Sequence, residues 1–189
     1  MSQAKRWHVL AAVLEQLDAK VFVEVGCKDG ENAANVLGLA PKDMAYIGID
    51  PWVKAPGQAD LLTRMADAGA ETYESWDFEK MATDFERHTY PYASRVTLKR
   101  CTSLEAVGDF ADGSLDLVFI DGAHDEESVA EDIAAWLPKI RSGGVLAGAD
   151  YNQKSPGVMR AVAAQIGLLD VAISEESVWL HYIQVTNAP

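Results

Sequence analysis

The stretch from Val21 to Pro51 constrains this 189-residue chain more than any other. It reads Val21-Phe22-Val23-Glu24-Val25-Gly26-Cys27-Lys28-Asp29-Gly30, continues as a helical run, and closes on Tyr46-Ile47-Gly48-Ile49-Asp50-Pro51. A short apolar strand thus ends in a carboxylate and a glycine-bearing turn. A helix follows, then a second apolar strand that also ends in a carboxylate. Parallel α/β sheets use such a unit to bind nucleosides at the carboxyl edge of their strands. Gly26 and Gly30 let backbone approach a ligand where a side chain would block it. The helix beginning near Asp29 directs its amides, and the positive end of its dipole, at an anionic group. Asp50 is placed to accept hydrogen bonds from two ribose hydroxyls. The bland alternative is two core strands with ordinary turn glycines, and the matched spacing of all three parts argues against it.

The length suits one domain with a sizeable core. No apolar run approaches the ~20 residues needed to span a bilayer, and the N-terminus lacks the apolar core and cleavage site of a signal peptide. A formal charge of −13 disfavours nucleic acid and anionic membranes, which reward dense Lys and Arg. Two cysteines, Cys27 and Cys101, form neither a disulfide framework nor a zinc site by themselves. Reduced thiols in a bacterial-type cytoplasm are the expectation. Both fall just after predicted strands and so near one cleft.

Read in order, residues 3–18 carry Trp7, Leu10, Ala11, Leu14 and Leu17 at helical spacing. Strand one covers 21–25 and is apolar nearly throughout, as a strand covered on both faces should be. The first crossover helix stops before Pro41, and strand two runs over 45–49. From Trp52 to Tyr92 the pattern changes to an aromatic-rich insertion with helical patches near 59–68 and 74–87. It is longer than a crossover requires. Two readings stay open there: a lid or substrate wall over the sheet edge, or packing helices whose aromatics are core.

Strand three follows at 95–99, then Cys101-Thr102-Ser103 and a short helix through Val107. Strand four, Leu115–Asp121, again ends in a carboxylate. A helix spans 126–140 with an acidic first turn that suits its dipole. Ser142-Gly143-Gly144 turns into strand five, Val145–Ala149, which stops at Asp150-Tyr151, and Pro156 opens another helix through Ile166. Leu168–Ile173 and Val178–Val185 read as two strands whose short polar connection demands an antiparallel hairpin.

Glu24-x-Gly26-x-x-x-Gly30, Gly48-Ile49-Asp50, Leu115–Gly122-x-His124 and Gly143-Gly144-Val145-Leu146 resemble the class I S-adenosylmethionine-dependent methyltransferases. Phe119–His124, the downstream Asp132 and Gly148-Ala149-Asp150-Tyr151 are similar to a group of small bacterial O-methyltransferases. The resemblance implies a single domain over 1–189. Its fold would be α/β, a Rossmann-like doubly wound sheet of the seven-stranded methyltransferase type. The sheet would be mostly parallel with an antiparallel C-terminal strand, joined by an N-terminal helix and a helical insertion at 52–92. It also implies a site. Glu24 and the Gly26–Gly30 turn would hold the methionine portion of S-adenosylmethionine, and Asp50 the ribose hydroxyls, with Trp52 packing against the nucleoside. Thr102 and Ser103 would lie at the adenine, and Asp121 beneath the sulfonium. Lys28 departs from the family pattern, where many members have glycine.

Methyl transfer needs a nucleophile aligned with the methyl and, for a hydroxyl of a small-molecule acceptor, removal of a proton. His124 could be the general base, since an unperturbed imidazole titrates at roughly 6.5. Alternatively, Asp121 and Asp150 could bind Mg²⁺, which would acidify the hydroxyl. In metal-dependent relatives an Asp or Asn directly follows the second aspartate; here Tyr151 does, with Asn152 one further on. His8, His88 and His181 default to structural roles. Two rivals remain: an NAD-dependent oxidoreductase, which would also use a glycine turn and an acid after strand two, and a non-catalytic nucleoside-binding member of the fold. Against the first stand the Gly-x-x-x-Gly spacing and the terminal hairpin. A homo-oligomer could form by pairing along that hairpin's edge.

Overall fold

Strand β1 (Val21–Val25) is buried on both faces, with Glu24 its one charged residue, and it lies within the sheet, paired on both edges. In the computed structural model, which describes residues 5–53 and 76–185, β1 pairs in parallel with β2 (Ala45–Ile49) on one side and with β4 (Leu115–Ile120) on the other. β3 (Val96–Lys99) continues beyond β2, and β5 (Ile140–Gly148) beyond β4. β7 (Trp179–Tyr182) then runs antiparallel to β5, and β6 (Ala172–Ile173) antiparallel to β7. The order of this seven-stranded sheet is β3-β2-β1-β4-β5-β7-β6. Chain direction across the sheet reverses between β1 and β4, which opens a crevice at their carboxyl ends.

Two helical layers cover the sheet. On one face α1 (Arg6–Gln16), α2 (Glu31–Leu39) and α3 (Phe78–Thr89) bury Leu10, Leu14, Leu37 and Phe85 against Phe22 and Tyr46. After the short α4 (Ser103–Ala106), α5 (Glu126–Trp136) and α6 (Pro156–Gln165) cover the other face, with Ile133, Trp136 and Val162 against Val23 and Val118. Local signals set the helix starts. Asp77 and Asp125 accept the backbone N–H of Lys80 and Ser128, both at 2.9 Å, satisfying donors that a helix leaves free at its N-terminus. The acids Glu126 and Glu127 sit in the first turn of α5, where the dipole favours them.

The sheet is the expected one, with three corrections. Leu168–Asp170 forms a turn of 3₁₀ helix after Gly167, which has φ 94°, so only Ala172–Ile173 of the expected strand pairs. β7 is correspondingly shorter than 178–185. β5 begins at Ile140 rather than after the glycines. Gly144 lies inside it because a Cβ there would stand 2.8 Å from the carbonyl oxygen of Asp116. In the insertion, the patch at 59–68 and Tyr73 lie outside the described residues. Phe85 is core, while Trp76, Phe78 and Met81 line the crevice, Phe78 and Met81 also packing against that core. β6 forms one outer edge, exposing its own Ile173 beside the exposed Leu168 and Leu169 that precede it. Any pairing with a second chain along the hairpin would fall there.

The junction of β5 and β7 is tight enough to test. A Cβ on Gly148 would lie 2.5 Å from three indole atoms of the buried Trp179. Gly148→Ala is expected to cost on the order of 1–3 kcal/mol through overpacking, read as a lower urea midpoint and partly restored by Trp179→Leu. An unchanged midpoint would show that this packing yields.

Candidate active site

A cleft of about 510 Å³ lies over the carboxyl ends of β1, β2, β4 and β5. Its floor is held by one carboxylate. Asp50 Oδ2 accepts the backbone N–H of Cys27 at 2.9 Å and of Lys28 at 3.0 Å, and Oδ1 accepts that of Trp52 at 2.8 Å. Trp52 Nε1 in turn donates to the carbonyl of Lys28 at 2.7 Å. These bonds hold Lys28 and Trp52 in the left-handed region, at φ 49° and 44°. That conformation is costly for a residue with a side chain, and it explains why glycine suits the position of Lys28. Burial pushes the Asp50 carboxyl up, and the three amides oppose the rise.

The residues expected at the cofactor divide into two sets. Gly26, Asp50, Trp52, Thr102, Ser103 and Asp121 line the cleft; Glu24 and Gly30 do not. Gly26 permits strand approach, since a Cβ there would stand 2.3 Å from the carbonyl oxygen of Asp121. Gly30 makes room for Phe85 of α3, 2.9 Å from where its Cβ would be. Trp52 is 2% exposed and packs edge-on against Phe85, 5.6 Å between centroids, so it clamps the turn from behind more than it offers a face. Lys28 Nζ lies over the Trp76 ring, 4.9 Å from its centroid. Neither cysteine lines the cleft: Cys27 is buried toward Tyr46, and both thiols are free.

Glu24 points into the core. Its carboxyl accepts the Tyr46 hydroxyl and, at 2.8 Å, the amide of Asn32. Burial raises it to about 7, against the two donors that favour the charge. On the far wall Ser103 donates to Asp132 and accepts Trp136 Nε1 at 2.8 Å. Asp132, pushed up to about 6 mainly by burial, also lines the cleft. Thr102 caps α4, its hydroxyl and backbone both engaged with Glu105.

At the ends of β4 and β5, ligand atoms of Asp121, His124 and Asp150 all lie within 4.8 Å of one another. His124 Nε2 is 3.1 Å from Asp150 Oδ2, an ion-pair contact without hydrogen-bond alignment. Asp150 sits at φ 56°. Desolvation pulls the His124 imidazole down, but the Asp150 and Asp121 carboxylates outweigh it, so its value ends above the usual one. His124 holds Asp150 below the ordinary carboxylate range. Burial raises Asp121 to about 6, although Arg6 of α1 is ion-paired to it and draws it down. Arg6 also lines the cleft. It stands 115 positions before its partner, and no spacing rule could have joined them. The other histidines bond carbonyls or turns: His88 meets the carbonyl of Asp29 and His181 that of Asp170.

The donor set does not fit Mg²⁺ as it stands. Asp121 already holds a guanidinium and Asp150 an imidazole. Asn152 Oδ1 accepts the backbone N–H of Lys154 at 2.9 Å. Mg²⁺ prefers oxygen donors in strict octahedral geometry over nitrogen. The cleft does fit a sulfonium nucleoside: Asp132 adds an acid on the far wall, and Asp50 Oδ1, with one amide, keeps capacity for a hydroxyl.

A family profile described as a methyltransferase domain matches residues 23–151. The fold is similar to a methyltransferase from Geobacter sulfurreducens at 13% identity and TM-score 0.65, covering 97% of this chain and 80% of that one. It is also similar to the O-methyltransferase TomG from Streptomyces achromogenes, involved in tomaymycin synthesis and solved with SAM, at 14% identity and TM-score 0.65, covering 97% and 82%. No match is found among curated proteins. The chain belongs to the methyltransferase-domain family, and its sheet has the Rossmann-like methyltransferase fold. Among the described residues no helix is long and apolar enough to cross a membrane.

The buried Glu24 makes stability depend on pH. Between the unfolded carboxyl value and about 7 the native state keeps a proton that the unfolded chain gives up. The resulting stability is complete below the unfolded value and is lost as pH rises through about 7. Asp121 and Asp132 act in the same sense through about 6. Urea unfolding should therefore show wild type weaker at pH 8 than at pH 5.5, with Glu24 contributing at most on the order of 3 kcal/mol. Glu24→Gln should flatten the dependence; a slope identical to wild type would place the proton elsewhere.

Proposed function

We propose that the cleft transfers the methyl group of S-adenosylmethionine to a hydroxyl of a small molecule, with His124 removing the hydroxyl proton. The observation that carries this reading is the His124–Asp150 pair beside Asp121, at strand ends facing the clamped glycine turn. Bound there, the sulfonium supplies an electrophilic methyl and its own leaving group. Asp50 would hold the ribose, the Gly26–Lys28 turn the methionine portion, and Ser103 with Asp132 the adenine edge. Asp150 faces Nε2 of His124, so the proton is taken at Nδ1, and the carboxylate stabilises the imidazolium that forms. Trp76, Phe78 and Met81 form an apolar wall that suits a planar acceptor and excludes water. Mg²⁺ has no step in this scheme.

The test is transfer of labelled methyl from S-adenosylmethionine to a panel of phenols, catechols and hydroxy acids. His124→Gln should lower the rate about 10²–10⁴-fold while cofactor affinity holds. The wild-type rate should rise with pH along a limb lying above the usual histidine value, because the protonated ring cannot accept a proton. A rate that survives the substitution and collapses with a chelator would favour a metal route. Cofactor binding without transfer to any acceptor would favour a non-catalytic member of the fold.

A further inference from the structure

The N-terminal helix contributes a cation to the reacting end of the cleft, and no motif announces it. Arg6 reaches from α1 to Asp121 at the end of β4. The acid is enclosed, with 15% of its side chain exposed, while the Arg6 side chain keeps 41%. Among the described residues Arg6 makes one side-chain bond, from Nη1 to Asp121 Oδ2. A guanidinium is a fork of several donors, so its remaining N–H groups are left for something else. Its charge also acts on Asp150 and on His124. Asp121 is thereby matched by the Arg6 guanidinium, while Asp150 faces the His124 imidazole. A divalent ion entering the trio would have to evict the guanidinium.

We infer that Arg6 takes the place of a divalent cation in this site, anchored by Asp121 and binding the acceptor oxygen as it loses its proton. The inference rests on the proposed methyl transfer. The acceptor O–H proton passes to His124, and an oxygen lone pair forms the new C–O bond. The methyl–sulfur bond breaks with its electron pair remaining on sulfur as a neutral thioether. Negative charge grows on the acceptor oxygen before that bond is complete. A pre-oriented guanidinium in a partly enclosed cleft stabilises such charge more than water does. Asp121 anchors one Nη of the guanidinium and so directs it to the strand end, which limits the reorganisation needed at the moment of reaction.

The experiment is a Mn²⁺ titration followed by electron paramagnetic resonance on the full chain, with Mn²⁺ alone as the probe. Wild type and Arg6→Lys should bind Mn²⁺ at least tenfold more weakly than Arg6→Ala, and the site gained should vanish in Arg6→Ala with Asp121→Asn. Equal affinities in wild type and Arg6→Ala, whether both tight or both absent, would overturn the inference. Circular dichroism and calorimetry with S-adenosylmethionine accompany each variant, with affinity in Arg6→Ala expected within threefold of wild type. Arg6→Gln serves as a second test should the alanine variant fail to fold. Absence of cofactor binding in wild type would sink the methyl-transfer reading, whereas the Mn²⁺ comparison alone judges Arg6.

Discussion

Three backbone amides converge on the carboxylate of Asp50, and the cleft depends on that convergence. A mostly buried carboxylate must find donors or lose its charge, and the amides of Cys27, Lys28 and Trp52 are those donors. In meeting them, Asp50 ties the end of β2 to the turn after β1 and holds two residues in left-handed backbone that would otherwise relax. Charge-assisted bonds of this kind contribute on the order of 1.5–3 kcal/mol each, enough to offset the local strain. The turn is therefore rigid before any ligand arrives. A preorganised pocket loses less freedom on binding than one that must form.

The chemistry is built from opposed charges on separate elements. β4 and β5 each end in an aspartate, and the sheet places the two ends side by side. Such neighbours would repel, so each has a partner from elsewhere: Arg6 from the helix that precedes the sheet, His124 from the loop after β4. The result is a site whose permanent cation is the Arg6 guanidinium, beside an imidazole able to take a proton, in a cleft whose other acids suit a positively charged ligand. Glu24 contributes differently, as a buried carboxyl bonded to Tyr46 and Asn32 behind the turn.

Much of this was legible because β1, β2 and β4 are short apolar runs with acids at their ends. Burial on both faces leaves composition as the signal, and the carboxyl edge follows from the direction of each strand. Asp50, Asp121, His124 and Asp150 could be named because local sequence puts them at those ends. Arg6 could not, since its role arises only when α1 folds back over β4. Glu24 was assigned to the ligand on resemblance; alternation along β1 turns it to the helical face with Phe22, away from the cleft. Trp52, expected to pack against the nucleoside, lines the cleft while its indole bonds the Lys28 carbonyl and packs on Phe85. Leu168–Ile173 read as a strand by its apolar residues, but Gly167 starts a 3₁₀ turn and leaves Leu168 and Leu169 exposed.

The most direct test of the Asp50-built cleft is calorimetric titration with S-adenosylmethionine and, separately, with NAD⁺, on wild type and Asp50→Asn. The amide of asparagine presents N–H where a backbone N–H must be accepted, so the turn loses its anchor with little change in volume. Micromolar binding of S-adenosylmethionine alone, weakened tenfold or more in Asp50→Asn, is the expected result. Tighter binding of NAD⁺, or sulfonium binding indifferent to Asp50, would contradict it.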